Sequence, residues 1–243
     1  GLVGSEMCIR DRGISDDIQS TVRADPEAFL ARSVIVCEGA SEVGLIRGLD
    51  HYWTSLNGNS MLSAGTAFVN VGGGEPDRCF VRGLALSRLG YRVLVLVDAD
   101  KPPTPATVEA FEAAGGEHIT WRAGRALEDE LFMSLPDAGV DALLQRGIEL
   151  MEEELVAAHI QTQSNGQVTL AHIRQQRHLI GGPYSPEIRQ LLGLTARNRR
   201  NGWFKSVTRY EDVAHDILGP HLPASDAGFQ ALISRLYWWA HAA

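Results

Sequence analysis

Little in this chain suits a membrane, a disulfide scaffold or a cysteine-bound zinc ion. No apolar run approaches the roughly 20 residues that a spanning helix needs, and the strand-like VLVLV at 93–97 is far too short. Three cysteines, Cys8, Cys37 and Cys79, show no paired spacing. That argues against a disulfide framework and a Cys-based zinc site, and makes a reducing, cytoplasmic setting the default. The net charge is −8, whereas nucleic-acid binders usually show a basic footprint. This excludes little, because a cation-binding carboxylate cluster plus a solvated acidic face produces the same balance. The phosphate-cradling pattern G-x-x-x-x-G-K-[ST] does not occur. Internal repeats and low-complexity tracts are also missing, and the eight histidines are scattered without ligand spacing.

What is present is an ordinary globular composition, 44% hydrophobic and 21% charged, in a length that suits one large domain or one domain with a smaller unit appended. The opening GLVGSEMCIRDR (1–12) forms no periodic element and resembles translated adapter sequence at the end of a reading frame. It is read as an artefact, the alternative being a short disordered terminus.

From residue 13 a pattern starts. SVIVC (33–37) reads as a buried strand, followed by a helix with Ser41 as N-cap candidate and Val43, Leu45, Ile46 and Leu49 at helical spacing. TAFVNVGGG (66–74) is a second strand, and DRCFVRGLALSRLG (77–90) an amphipathic helix closed by Gly90. RVLVLVDAD supplies a third strand, PATVEAFEAAGG another helix, and EHITWR (117–122) a fourth strand. Strands alternating with helices imply βαβ units, hence a mostly parallel central sheet flanked by helices, an α/β fold. Beyond residue 125 the pattern turns helical, at 126–134, 138–160, 167–179, 185–195, 208–218 and 225–241. The expected division is an α/β domain over 13–135 and a helical extension over 136–243.

In such sheets ligands bind outside the carboxyl ends of the strands, and three ends here carry notable chemistry. Glu38 closes the first strand, with Glu42 one helical turn on; the triple glycine closes the second; Asp98 and Asp100 close the third. Glu128, Asp129 and Glu130 open the helix after the fourth strand. Asp98 and Asp100 point the same way along an extended chain, and such a cluster raises its own pKa values by repulsion. A hard divalent cation relieves it: oxygen-only ligands suit Mg²⁺ or Mn²⁺, which makes a phosphodiester site plausible chemistry. Blander readings stand beside this. Asp98 and Asp100 also suit a turn before Pro102, Glu42 the helix dipole, Glu128 to Glu130 a solvated first turn, and the glycines a simple backbone turn.

VIVCEGASE followed by VLVLVDAD resembles the TOPRIM domain. RADPEAFLARSVIVCEGASE, ALEDELF (126–132) and GWFKSVTRYEDVA (202–214) resemble the OLD-family ATP-dependent endonucleases, over roughly residues 20 to 220. The resemblance implies that Glu38 is a metal ligand and proton-transfer residue, that Glu42 supports it, and that Asp98 and Asp100 are metal ligands. Glu128 matches the acid of the next motif, with Glu130 a partner for a second ion. Lys205 matches a late lysine that faces the scissile phosphate. Gly39, Gly72, Gly73, Arg199, Arg200 and Lys205 are candidate phosphate or DNA contacts. Within 197–209, Arg197, Arg199, Arg200, Lys205 and Arg209 either meet phosphates or form a solvated loop with Trp203 packed in the core.

The implied function is cleavage or nicking of DNA with Mg²⁺ or Mn²⁺, two ions in all. It would be coupled to an ABC-type ATPase that this chain lacks, so that ATP acts only through that missing part. A truncated gene is the preferred explanation, a stand-alone TOPRIM protein the other. A homodimer or higher oligomer is compatible. The rivals are a haloacid-dehalogenase-like phosphatase, which places its Asp-x-Asp after the first strand, and a non-catalytic TOPRIM module for nucleic-acid docking or dimerisation.

Overall fold

The computed structural model describes residues 18–122, 124–179, 181–198 and 202–242; the opening dozen residues lie outside these. Four strands, β1 (Ser33–Cys37), β2 (Thr66–Asn70), β3 (Arg92–Val97) and β4 (Glu117–Thr120), form one parallel sheet in the order β2-β1-β3-β4. The strands lack polar alternation because both faces are covered. Side chains alternate between two cores: Ile35, Cys37, Leu94, Leu96 and Ile119 face one, and Val34, Val36, Val93, Val95 and Val97 the other.

The first face is covered by α1 (Ala40–Asn57) and by helices that follow β4. The second face is covered by α2 (Asp77–Arg88) and α3 (Pro105–Ala113), through Phe80, Leu86 and Phe111. After β4 come α4 (Leu127–Ser134), α5 (Asp137–Met151), α6 (Glu153–Gln163), α7 (Leu170–Arg174), α8 (Pro186–Ala196), α9 (Val207–Val213) and α10 (Ala227–His241). Leu143, Leu192, Trp203, Tyr210 and Ile233 join Ile35 and Leu96 in the same core.

Several boundaries differ from the sequence expectation. α1 begins at Ala40 with Gly39 at the capping position, not Ser41; the Gly39 amide donates to the Glu42 carboxylate at 2.9 Å, which supplies the cap from inside the helix. The second strand stops at Asn70, and Gly72, Gly73 and Gly74 turn the chain with φ of +84°, +76° and +112°, conformations that favour glycine. The fourth strand stops at Thr120, and the helix expected over 138–160 is broken at Glu152, where φ is +69°. Apolar residues continue across that break, so periodicity did not reveal it. The helix expected at 208–218 loosens into a π-type turn over Ala214–Leu218.

The strand order positions the site. From β1 the chain goes out to β2, then returns to β3 on the other side of β1. The carboxyl ends of β1 and β3 therefore meet at the topological switch point, where such sheets open a crevice.

Candidate metal centre

β1 and β3 deliver their terminal acids side by side. Cys37 pairs with Leu96, and the Glu38 amide still donates to the Leu96 carbonyl at 3.2 Å. Two residues beyond Leu96, the Asp98 amide donates to Glu38 Oε2 at 3.3 Å, while Asp98 Oδ1 accepts from the Leu127 amide at 3.0 Å. The Asp98 carboxylate thus bridges β3 to the start of α4. That contact brings Glu128, in the first turn of α4, against the sheet.

An open cleft of about 790 Å³ lies over these ends. Glu38, Glu42, Asp98, Asp100 and Glu128 all line it, together with Lys101, Arg197 and Lys205. Glu42 and Glu128 are buried, so their charges are poorly screened. The Asp98 carboxyl is pushed up to about 9, by burial first and then by Glu42, Glu128, Glu38 and Asp100. Glu42 is pushed up to about 7, by burial first, then by Glu128 and Glu38. Burial also raises Glu38 and Glu128. Glu38, Glu42, Asp100 and Glu128 each raise at least one other acid of the group, which is the repulsion expected of carboxylates converging without a counter-ion.

Lys205 arrives from far along the chain. It is exposed into the cleft, and its charge lowers the cost of ionising Glu128. Trp203 and Phe204, just before it, are buried anchors. They belong to an edge-to-face series from Phe132 through Trp203 and Phe204 to Tyr210, with centroid separations of 6.1, 6.2 and 5.8 Å. α9 then docks on α1 across Gly44 and Gly48, where a β-carbon would stand 2.3 Å from the Val207 carbonyl oxygen and 2.1 Å from that of Glu211. Those two glycines let the helix after Lys205 lie against the helix carrying Glu42. The Tyr210 hydroxyl is buried beside Glu128 and eases its ionisation, yet falls short of a formed hydrogen bond.

Not every candidate joins the cleft. Glu130 is fully buried elsewhere, gripped by Arg122 Nη2 at 2.6 Å and Arg125 Nη1 at 3.2 Å, and close to the Ser134 hydroxyl. It faces inward on α4 and is not among the residues that line the cleft. Asp129, one residue earlier, is the acid that sits near the cleft, with Oδ2 at 3.2 Å from Arg197 Nη1. The glycines are committed as well: the amides of Gly39, Gly72 and Gly73 donate to Glu42 Oε2, Asn70 Oδ1 and the Glu38 carbonyl. Gly39 and Gly73 nonetheless line the cleft, whereas Gly72 does not. Arg209 Nη1 is held 3.3 Å from the Trp203 carbonyl. Arg199 and Arg200 lie outside the described residues.

Sequence reasoning passed over Lys101, which pairs with Glu75 at 3.4 Å on the rim. The signal was available: the chain has two lysines, Lys101 and Lys205, and both line this cleft.

The family described as Overcoming lysogenization defect protein-like, TOPRIM domain, matches residues 29–100. Residues 29–100 are an OLD-like TOPRIM domain. The match spans β1 to the end of β3 and includes Glu38, Glu42, Asp98 and Asp100. No curated protein and no solved structure matches the chain. A TOPRIM domain carries a nucleic-acid-related, metal-binding role and generally takes Mg²⁺.

The donor set fits such an ion: Glu38, Glu42, Asp98, Asp100 and Glu128 offer oxygen only, suited to a hard divalent cation. Among the described residues, no three acidic, histidine or cysteine side chains are already drawn together as a closed metal cage. The carboxylates stand around an open cleft.

Proposed function

We propose that this cleft is the active centre of a metal-dependent DNA endonuclease that hydrolyses or nicks phosphodiester bonds. One observation carries the reading: Glu38, Glu42, Asp98, Asp100 and Glu128, from the ends of β1 and β3 and the first turns of α1 and α4, converge on one cleft, and Lys205, 163 residues and more beyond the two TOPRIM glutamates, lines the same cleft. Glu38, Glu42, Asp98 and Glu128 would hold Mg²⁺ or Mn²⁺, with Asp100 on the outer side. The cation supplies charge neutralisation and polarisation of a phosphate oxygen. Glu38, half-buried and tied through Oε2 to the Asp98 amide, is placed to move a proton at that carboxylate. Lys205 presents its ammonium to the phosphate and stabilises the negative charge that develops as the P–O bond breaks. Coupling to an ABC-type ATPase on another segment or chain, oligomeric assembly and a cytoplasmic setting belong to the same proposal. Among the described residues, no helix is long and apolar enough to cross a membrane.

The test is nicking of supercoiled plasmid with Mg²⁺ or Mn²⁺ by the full chain, beside Asp98→Ala and Lys205→Ala. Metal-dependent nicking lost in both folded variants supports the reading. Cleavage of small phosphomonoesters in place of plasmid would indicate the phosphatase chemistry instead. Plasmid binding without cleavage under any metal would indicate a docking module.

A further inference from the structure

Arg197 occupies an unusual place in this cleft. It follows the last turn of α8, where the helix dipole favours a cation. Its Nη1 alone meets two carboxylates, 3.2 Å from Asp100 Oδ2 and 3.2 Å from Asp129 Oδ2. This is not the two-pronged fork by which arginine grips one carboxylate tightly, at about 2.7–2.9 Å. Arg122 on Glu130 shows the contrast: both Nε and Nη2 meet Oε1, the latter at 2.6 Å, around an acid with no exposure. The Asp100 and Arg197 side chains are each about one-third exposed, at 35% and 30%, and pairs of that kind contribute little. Asp129 is buried, and its Oδ1 has no hydrogen-bond partner. α8 reaches this spot because Gly193 lies against Asp129, where a β-carbon would stand 2.9 Å from the Asp129 Cα. One cationic nitrogen lodged loosely between two acids, one of them on the Asp-x-Asp motif, sits as a small cation would.

We propose that Arg197 is an internal counter-cation: its guanidinium holds the outer cation place between Asp100 and Asp129, and a divalent ion enters there only when Arg197 swings out onto a phosphate. The proposal rests on the metal-dependent reading of the cleft. It accounts for the lack of a closed cage around Asp100 and makes the protein a one-ion binder at rest. A polyanionic substrate then becomes the trigger for the second ion. Arg197 is thereby a positioning residue for the outer ion and a contact for the incoming phosphate backbone.

Counting bound Mn²⁺ by electron paramagnetic resonance on the full chain, without nucleic acid, tests this. Wild type should bind one ion tightly. Arg197→Met and Arg197→Gln should bind a second, with affinity raised about tenfold or more as a facing charge is removed. Lys101→Met is the control, because it deletes an equal charge from the same cleft while freeing neither Asp100 nor Asp129; it should gain no second ion. Folded Arg197 variants that match wild type in number and affinity of ions overturn the proposal. So does an equal gain in Lys101→Met, which would reduce the effect to bulk charge. If wild type and every variant bind no Mn²⁺, the metal reading itself fails.

Discussion

A β-carbon on Gly44 would stand 2.3 Å from the carbonyl oxygen of Val207. This close approach between α1 and α9 joins the TOPRIM half of the site to Lys205, since α1 carries Glu42 and α9 starts two residues after the lysine. Gly44→Ala should therefore separate the helices, because the obstacle is backbone that cannot rotate away. A loss of about 1–3 kcal/mol in chemical denaturation is expected, the cost of overpacking. Nicking should fall further than stability, as Lys205 is displaced from Glu128. Unchanged stability would show that the helices can part freely.

The acids of the cleft set a pH dependence. Asp98 and Glu42 have folded-state pKa values near 9 and 7, above the ~3.9 and ~4.3 of unfolded chains. Between those limits the native state holds more protons, so stability falls as pH rises. Their contribution is complete below about pH 4, and is lost as pH passes about 7 for Glu42 and about 9 for Asp98. With a chelator present, Tm should fall from pH 5 to 9. Mg²⁺ should raise Tm more at pH 8 than at pH 6. A chelated Tm that climbs with pH would contradict this arrangement of acids.

Asp98→Asn removes the charge most opposed by its neighbours. Its Oδ1 still accepts from the Leu127 amide, so the bridge to α4 survives. Without metal at pH 8, the variant should be more stable than wild type by about 1 kcal/mol, the usual scale for such relief. Mg²⁺ should no longer raise its Tm, and nicking should be abolished. Calorimetry with and without Mg²⁺ reads both effects.

Glu130 and Glu128, two apart on α4, should respond in opposite ways. Glu130→Gln weakens a buried acid held by Arg122 and Arg125 and should cost about 3 kcal/mol, with Mg²⁺ affinity kept in whatever remains folded. Glu128→Gln should leave stability intact or improved and weaken Mg²⁺ binding. Isothermal titration beside urea denaturation separates the two, and equal losses of Mg²⁺ affinity would return Glu130 to the site.

Local chemistry alone made much of this protein legible. SVIVC and VLVLV are continuous β-branched and aliphatic runs, and a parallel sheet covered on both faces follows from them. Glu38 and Asp98 stand immediately after those runs, so a parallel arrangement alone sends both to the same edge. Tertiary structure decided the rest. The order β2-β1-β3-β4 made Glu38 and Asp98 immediate neighbours. Helix phase separated Glu128 from Glu130, because residues two apart on a helix face different ways. Sequence does not say which face of an acidic first turn meets the sheet. Nor does it say that Gly44 and Gly48 are there for α9, or that Arg197 finds Asp100 from 97 positions away. Strand propensity acts between neighbours along the chain. Convergence of charges depends on which helix packs on which, and that is set by shape across the whole core.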